Sequence, residues 1–341
     1  MSEFLKAARH QPVDHTPIWL MRQAGRSLPE YRALRERYRL VDIVADADLC
    51  TEVTLQPVRR LGVDAAVMFA DIMLPLQGMG VDFELVEDVG PVIATPIRSP
   101  EQVERLRTPP AEESVPQVLA AVRQVVKASP VPVICFAGGP FTLASYMIEG
   151  RPSRDFKLTK SFMHSEPAAW GELMTKLTTM IVDYLSKQVG AGAQALQLFD
   201  SWAGALAPTD YKGQVLPYTR QIFAELETLG VPRIHFGTST AGLLELIAGA
   251  GPDLVSLDWR IDLLTGWERV GFDLGVQGNL DPAVLLAPPA TVRERAHEIL
   301  RQAAGRPGHI FNLGHGVLPE TPLESLQILV ETVHGWAPNI S

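Results

Sequence analysis

The feature that most constrains the fold is an alternation of short apolar runs with longer segments of helical periodicity. Each apolar run has the length of one strand, and its nearly continuous hydrophobicity is typical of strands covered on both faces. Strand and helix candidates in alternation predict βα units and a parallel sheet. The eight runs are 16–21, 65–71, 131–138, 195–202, 233–239, 254–259, 273–279 and 309–315.

Eight strand–helix units predict a closed (β/α)8 TIM barrel, formed by a single domain over residues 1–341. A doubly wound open sheet is the alternative, but it would leave some of the eight runs without a place. Alternating apolar residues around Gly90, within 81–97, predict a β-hairpin inserted after the second strand. Between the strands, residues 29–39 are predicted to form one of the helices.

Charge and cysteine content limit the partners of this chain. Its 30 Lys and Arg against 39 Asp and Glu give a net charge of -9, which argues against nucleic acid or an anionic membrane as a partner. Any anionic ligand must therefore meet a local basic cluster. Cys50 and Cys135 lack a CxxC spacing, so neither a disulfide framework nor a thiolate metal site is predicted. The charged N-terminus lacks the apolar stretch of an export signal, and a reducing cytoplasm is the expected location.

Segments rich in polar residues follow several of the apolar runs, where a parallel barrel builds its active site. Because the carboxyl ends of parallel strands meet at one edge, these residues are candidates for a shared site. They are Arg22, Gln23, Ala24, Gly25 and Arg26 after the first run, Asp71 at the end of the second, Tyr146 after the third, Ser201 after the fourth and His315 at the end of the eighth.

Arg22 and Arg26 place two planar donors around a segment in which Gly25 lets the backbone approach a ligand closely. This arrangement suits a polycarboxylate. The alternative is that both arginines pair with acidic residues at the barrel mouth. Arg35 lies further along, on a predicted helix whose other arginines are typical of a solvated face.

The other candidates each have a structural alternative. Asp71 closes an apolar strand, so its carboxylate must be paired or used, but it could also cap the next helix. His315 stands between two glycines, which exposes its ring to the barrel mouth, yet a structural histidine is also possible. Tyr146 could belong to the core, and Ser201 could cap a helix.

No metal or cofactor is predicted, because the sequence carries no GxSxG, HExxH, Walker or dinucleotide-binding pattern. The predicted cluster of Arg, Asp, Tyr, Ser and His therefore favours binding of an anionic substrate and chemistry by proton transfer.

Four segments carry a specific resemblance. TPIWLMRQAGRSLPEYR (16–32) and GGPFTLASYMIEG (138–150) closely resemble the two signature segments of the uroporphyrinogen decarboxylase family. Segments 191–204 and 311–322 resemble two more, in the same order over essentially the whole chain. RQAGR (22–26) is the most specific of these motifs.

The resemblance implies a (β/α)8 barrel, a homodimer, and conversion of uroporphyrinogen III to coproporphyrinogen III by four decarboxylations without a cofactor. It also implies site residues. The family's substrate-binding segment falls on Arg22, Gln23, Ala24, Gly25 and Arg26, a further arginine on Arg35, the pyrrole-binding aspartate on Asp71, and the cleft tyrosine, serine and histidine on Tyr146, Ser201 and His315. Ser27 departs from the pattern, since an aromatic residue commonly follows the second arginine.

The resemblance implies that Asp71 stabilises a protonated pyrrole and favours Arg22 as the proton donor. An ordinary guanidinium is a poor acid, so Tyr146 and His315 stay open as catalytic or orienting groups. Two rival functions are a zinc-dependent methyltransferase of the same barrel superfamily, which needs a His/Cys metal site, and a non-catalytic tetrapyrrole carrier, which would not need Asp71.

Overall fold

The computed structural model describes residues 1–86 and 89–337. Within these ranges seven parallel strands form one sheet, in which each strand pairs with the next along the chain, and two further strands form a separate antiparallel pair. The strands are β1 (Ala66–Val67), β2 (Phe83–Val86), β3 (Gly90–Ile93), β4 (Val133–Gly138), β5 (Ala195–Phe199), β6 (Arg233–Phe236), β7 (Leu254–Ser256), β8 (Gly275–Leu280) and β9 (His309–Leu313). The predicted parallel α/β sheet is confirmed, and seven of the eight predicted runs overlap its strands.

The first predicted run, 16–21, contributes a single parallel bridge between Ile18 and Phe311 of β9. There the Phe311 N–H donates to the Pro17 carbonyl at 2.8 Å. On the other side, the Ile18 carbonyl accepts from the N–H of Asp64, just before β1, at 2.8 Å. The sheet therefore curls so that the segment 16–21 contacts both of its edges.

Strands β2 and β3 form the hairpin predicted after the second run. Phe83 lies opposite Ile93 and Val86 lies opposite Gly90. Gly90 has a φ of +97°, a conformation that glycine adopts without the steric cost of a side chain. Residues 87–88 of the predicted hairpin, like 338–341 at the end of the predicted domain, lie outside the described residues.

Helices cover the sheet between successive strands. They are α1 (Glu3–Ala7), α2 (Pro29–Arg35), α3 (Leu40–Ala45), α4 (Ala47–Leu61), α5 (Pro100–Glu104), α6 (Ala111–Ser114), α7 (Pro116–Ala128), α8 (Pro140–Glu149), α9 (Lys157–Ser165), α10 (Pro167–Gly190), α11 (Pro208–Gln214), α12 (Leu216–Leu226), α13 (Leu244–Ala248), α14 (Leu263–Val270), α15 (Pro289–Ala303) and α16 (Leu323–His334). In the part of the chain described here, no helix is both long enough and apolar enough to cross a membrane.

Helix α2 begins at Pro29 as predicted but ends four residues before the predicted end at 39. The reason is a new helix start: Arg39 precedes α3, and its backbone N–H donates to the Asp42 carboxylate at 3.0 Å. This hydrogen bond from the helix start to the third residue of α3 favours a break between the two helices.

A polar network crosses the otherwise apolar interior of the sheet. The buried Trp19 indole donates to the Gln277 side chain of β8 at 2.8 Å. The Gln277 amide in turn donates to Gln197 of β5 at 3.1 Å and to the Ser256 hydroxyl of β7 at 2.9 Å. Because buried polar groups are costly without partners, this network fixes the segment 16–21 relative to three strands.

Candidate active site

The loop that follows 16–21 has an unusual backbone. Arg22 and Arg26 have φ values of +61° and +55°, in the left-handed region that side chains normally avoid at a cost of about 1–2 kcal/mol each. Hydrogen bonds hold the start of this loop: the Met21 N–H donates to the Asn312 side chain at 2.9 Å, and the Met21 carbonyl accepts from Val317 at 2.8 Å. The surrounding structure thus over-determines the loop, as is common at functional sites.

Gln23 holds the same loop from inside. Its side-chain oxygen accepts from the Leu20 N–H at 2.8 Å, and its amide donates to the Ala65 carbonyl at 2.9 Å. Ala24 is also buried, at 8% exposure. The side chains of these two predicted site residues therefore support the loop in this structure.

Gly25 permits a close approach at the centre of the loop. It has a φ of +89°, and an added Cβ would lie 3.2 Å from the Phe69 ring and 3.3 Å from the Tyr31 ring. Ser27, at the position where the resemblance leads us to expect an aromatic residue, is buried.

Arg22 lies among the other candidate catalytic groups. Burial raises the pKa values of Asp71 and Tyr146 and lowers that of His315. The positive charge of Arg22 opposes the effect of burial on Asp71 and Tyr146 and adds to its effect on His315. The three groups come from different parts of the sheet edge, following β1, β4 and β9. The structure therefore brings together the four residues predicted to be catalytic.

Arg26 adds a second positive charge beside Arg22. Burial and the charge of Arg22 lower the pKa of Arg26, while Tyr31 and Glu320 act in the opposite direction. Neither arginine forms a salt bridge with a carboxylate of the described residues. The alternative in which both are neutralised by acidic neighbours is thus not seen in those ranges, and the loop presents two cations to a ligand.

Asp71 uses one carboxylate oxygen in a local turn. Its Oδ1 accepts from the Met73 N–H at 2.9 Å, just before a short 3-10 helix, Leu74–Gln77. Oδ2 has no hydrogen-bond partner among the described residues. Burial raises the pKa of Asp71, against the effects of the Met73 N–H and Arg22. A capping role and a role in the cleft can therefore coexist.

Tyr146 lies on α8, where its ring packs on that of Trp202 with centroids 4.1 Å apart. Burial and the negative charge of Asp71 raise the pKa of the phenol to about 12, against the effect of Arg22. Tyr146 therefore keeps its proton at neutral pH and can donate a hydrogen bond. The neighbouring Ser201, partly buried, accepts with its backbone carbonyl from the Thr238 N–H at 3.3 Å.

His315 is neutral at neutral pH in this setting. Burial and the nearby cations Arg22, Arg26 and Arg260 lower its pKa to about 4, against the effect of Asp258. The imidazole centroid lies 6.1 Å from that of the Phe236 ring. Neutral imidazole has one donor and one acceptor nitrogen, so the ring can orient a polar substrate group.

Arg35 is placed differently from the other predicted residues. Its Nη1 donates to the Tyr38 carbonyl at 2.9 Å at the end of α2, and its charge lowers the pKa of Asp42. These contacts lie on the turn between α2 and α3 and do not include the Arg22 cluster.

Two aspartates at the same sheet edge were not among the predicted site residues. Buried Asp200, after β5, accepts from the Thr142 N–H at 2.9 Å, and burial raises its pKa to about 6. Buried Asp258, after β7, accepts from the Arg260 guanidinium at 2.7 Å, and that guanidinium lies 4.0 Å from the centroid of the Trp259 ring. Both aspartates close apolar runs, the same signal that identified Asp71.

The two cysteines do not supply the thiolate ligands that a zinc methyltransferase site would need. Cys50, on α4, donates to the Phe69 carbonyl at 3.2 Å, and burial raises its pKa to about 11. Burial also raises the pKa of Cys135, inside β4. Both thiols therefore stay protonated at neutral pH.

A cluster of two arginines with Asp71, Tyr146 and His315 at the carboxyl edge of a curled parallel sheet is typical of the active site of a TIM-barrel-like α/β enzyme. Residues 1–336 match the model of the family described as "Uroporphyrinogen decarboxylase (URO-D)". The chain belongs to the uroporphyrinogen decarboxylase family, a family of carboxy-lyases.

Curated relatives agree with this assignment. The uroporphyrinogen decarboxylase of Carboxydothermus hydrogenoformans is 51% identical, over 97% of this chain and 95% of that protein. Those of Thermobifida fusca and Thermus thermophilus are each 52% identical, over 99% and 96% of this chain and 94% and 96% of theirs.

Solved structures show the same fold at much lower identity. A methyltransferase from Methanosarcina mazei superposes with a TM-score of 0.82 at 18% identity, covering 97% of this chain and 96% of that one. A B12-independent methionine synthase from Shewanella superposes with a TM-score of 0.56 at 10% identity, covering 84% and 86%. At these identities the likeness concerns the fold alone.

Proposed function

We propose that the chain removes CO2 from the four acetate side chains of uroporphyrinogen III to give coproporphyrinogen III, with no metal or organic cofactor in the reaction. The observation that carries the proposal is the cluster of Arg22 with Asp71, Tyr146 and His315, beside the unneutralised Arg26. A polycarboxylate needs cations that are not already paired, and a pyrrole N–H needs an acceptor; this cluster offers both. Membership of the family supports the reaction.

Substrate binding is assigned to residues from several strand ends. Arg22 and Arg26 hold carboxylates, for which the planar guanidinium can offer two parallel hydrogen bonds. Tyr146, Ser201 and neutral His315 add uncharged donors that fix the orientation of the ring. The backbone of Gln23, Ala24 and Gly25 lines the approach between the arginines, and the resemblance assigns Arg35 as a further substrate-binding arginine.

The catalytic steps follow from the chemistry of an acetate attached to a pyrrole. Protonation of the ring carbon adjacent to the one that carries the acetate makes the ring an iminium-like electron sink that is conjugated with the acetate-bearing carbon. The carbon–carboxylate bond then breaks, CO2 leaves, and its electron pair enters the ring. A proton reaches the new exocyclic carbon and the ring carbon loses its own, so each round consumes one proton net and releases one CO2.

Asp71 stabilises the positive charge on the protonated pyrrole. Its Oδ2 lacks a hydrogen bond among the described residues and can accept from pyrrole N–H groups, while Met73 orients the carboxylate through Oδ1. In a site shielded from water such a charge interaction is strong and needs no reorganisation during the reaction. The resemblance favours Arg22, which lies near the other three groups, as the donor, and we assign Tyr146, which keeps its proton, and neutral His315 as orienting groups.

We extend the proposal to the architecture of the chain. The segment 16–21 closes the sheet as an eighth strand of a (β/α)8 barrel, in one domain spanning 1–341; the contacts of Ile18 with Phe311 and Asp64 support this. The resemblance supports a homodimer, and two unpaired, buried thiols suit the reducing cytoplasm.

Incubation of the pure protein with uroporphyrinogen III, followed by separation of the products by carboxyl number, tests the function. We expect the octacarboxylate to be converted through successive intermediates to the tetracarboxylate. Tight binding of the tetrapyrrole without any loss of carboxyl groups would instead identify a carrier.

A further inference from the structure

A second cluster of ionisable groups lies away from the cleft. The Nε2 atoms of His15 and His334 each contact a different oxygen of the Asp64 carboxylate, at 3.1 Å to Oδ1 and 2.8 Å to Oδ2. The two imidazole rings pack edge to face, with ring centroids 4.6 Å apart. One ligand atom from each of the three residues lies within 4.8 Å of the other two.

The cluster lies at the opposite edge of the sheet from the cleft. His15 precedes the segment 16–21, Asp64 precedes β1, and His334 is the last residue of α16. These positions are at the amino ends of the strands, whereas the catalytic candidates follow the carboxyl ends. A ligand bound here would join the start of the chain, β1 and the last helix, and would not meet the substrate.

The ligand types suit a divalent transition metal. Imidazole nitrogen and carboxylate oxygen bind zinc at about 2.0–2.2 Å, and three protein ligands with one water complete a tetrahedral site. The side chains of His15 and His334 are each 31% exposed and that of Asp64 is 15% exposed. This partial exposure gives the rings room to turn towards an ion and leaves a position for water.

A backbone hydrogen bond already orients the carboxylate of Asp64. The Ile18 N–H donates to Oδ2 at 2.8 Å and fixes the plane of the carboxylate. Backbone support of this kind orients metal ligands in known sites.

We propose that His15, Asp64 and His334 form a structural binding site for Zn²⁺ or a similar divalent transition metal. The proposal is independent of the catalytic function and departs from the sequence-based expectation of no metal. That expectation rested on ligand spacing, and here the ligands are 49 and 270 residues apart in the chain. The bound metal stabilises the fold by tying its first and last elements to β1.

Calorimetric titration of the full-length, chelator-stripped protein with ZnCl2 tests the site directly. We expect one zinc per chain with a dissociation constant in the micromolar range or lower. At a zinc concentration about a hundred times that constant, the melting temperature should rise by about 3 °C or more. Co²⁺ in place of zinc should give the visible absorption of a low-coordinate site with nitrogen and oxygen ligands.

Variants assign the binding to these residues. His15→Asn and His334→Asn should each weaken zinc binding at least about tenfold, because each removes a ligand. His164→Asn is the matched control, since the side chain of His164 is 56% exposed and lies 3.8 Å from a carboxylate outside the cluster. The zinc affinity of this variant should match that of the wild type.

The wild-type titration decides the matter even if a variant folds poorly. Absence of stoichiometric zinc binding would overturn the proposal and leave the cluster as a hydrogen-bonded bridge between two histidines and a carboxylate. Equal affinity of the wild type and both ligand variants would overturn it as well. Decarboxylation by the zinc-free protein is measured in parallel, so that failure of the proposed function is scored separately.

Discussion

The side chain of Arg22 lies directly against the α-carbon of Gly316. A methyl group added there would be 2.4 Å from Cδ and 3.0 Å from Cβ of Arg22, much closer than van der Waals contact. The lack of a side chain at Gly316 therefore leaves space for the side chain of Arg22, in addition to its role in the turn after His315. The relationship couples the loop after 16–21 to the loop after β9, the two loops that supply half of the proposed catalytic cluster.

Gly316→Ala should consequently displace Arg22 and lower kcat/KM by about tenfold or more, since small errors in the position of a catalytic group are costly. Gly316 does not have a positive φ, so backbone strain should not contribute. Gly213→Ala is the control, because an added Cβ meets nothing within 4 Å there. Steady-state kinetics and thermal melts of both variants check this. Normal kinetics of a folded Gly316→Ala protein would show that catalysis does not depend on the exact position of Arg22.

Arg26→Ala should raise KM and lower kcat/KM by about 10- to 100-fold, the effect of removing a hydrogen bond between charged groups worth about 1.5–3 kcal/mol. Arg26 is partly buried and beside Arg22, so solvent cannot easily replace it. Arg37→Ala, an exposed arginine on the turn after α2, is the control and should behave as wild type. Kinetics of Arg26→Ala that match this control would place Arg26 outside the substrate site.

Acid should destabilise the protein through buried histidines. Burial lowers the pKa values of His235 and His309 to about 4, whereas an unfolded histidine titrates near 6.5. The unfolded chain therefore binds more protons between these values, so the histidines make stability fall as pH decreases from about 6.5 to about 4. Asp200, with its pKa raised to about 6, acts in the opposite direction over part of this range.

Comparison with a variant isolates one histidine. His235→Leu should reduce the pH dependence of the free energy of unfolding by about 1.4 kcal/mol per pH unit between about pH 6 and pH 4.5, because one proton difference is removed. The buried ring contacts Phe223 on α12, which suits an apolar replacement. Denaturant unfolding at several pH values measures the slope, and the exposed His164→Leu serves as control. An unchanged slope would mean that His235 titrates alike in both states.

Decarboxylation should survive exhaustive chelation and dialysis, because the substrate ring supplies its own electron sink. The proposed zinc site lies at the other edge of the sheet, so chelation should lower the melting temperature while initial rates at a temperature well below melting stay unchanged. The two measurements on the same stripped sample check this. A rate that falls on chelation and returns on addition of zinc would contradict both the cofactor-free reaction and the separation of the two sites.

Much of the sheet was predictable because its strands are buried on both faces, which leaves apolar runs such as 131–138 that few other structures explain. Position relative to those runs also identified Asp71 and His315 at the edge where parallel strands place a site. Run 16–21 shows the limit of the pattern. Residues 17–21 are buried as well, but among the described residues this run forms a single parallel bridge, at Ile18, and the Trp19–Gln277 hydrogen bond helps to hold it against the sheet.

What the sequence could not predict depends on contacts between distant residues or on backbone conformation. Gln23 belongs to the most specific motif, yet its side chain forms hydrogen bonds with Leu20 and Ala65. The sequence alone does not distinguish a side chain that supports the loop from one that contacts a ligand. The left-handed backbone conformation of Arg22 could not be predicted from the residue type, since arginine rarely adopts it. The approach of His334 to Asp64, 270 positions apart, follows from the curl of the sheet.

Asp71 offers the most decisive variant, because the structure divides its two oxygens between two tasks. Oδ1 accepts from Met73 in a turn, and an asparagine at this position can accept the same bond with its side-chain oxygen. Oδ2 lacks a partner in the described part of the chain and carries the charge assigned to the pyrrole cation. The substitution Asp71→Asn therefore preserves the turn while it removes the charge.

We expect Asp71→Asn to fold with a melting temperature close to wild type, to bind the tetrapyrrole, and to lose at least about a hundredfold in kcat, since the missing interaction is made mainly in the transition state. Asp46→Asn is the control: this exposed aspartate caps α4 by accepting from Asp48 and Leu49, and its replacement should leave kcat unchanged. Single-turnover rates, binding and thermal melts of both variants separate the possibilities. Normal turnover by a folded, substrate-binding Asp71→Asn protein would show that the turn with Met73 is the whole role of this residue, and the charge that stabilises the ring cation would have to come from elsewhere in the cleft.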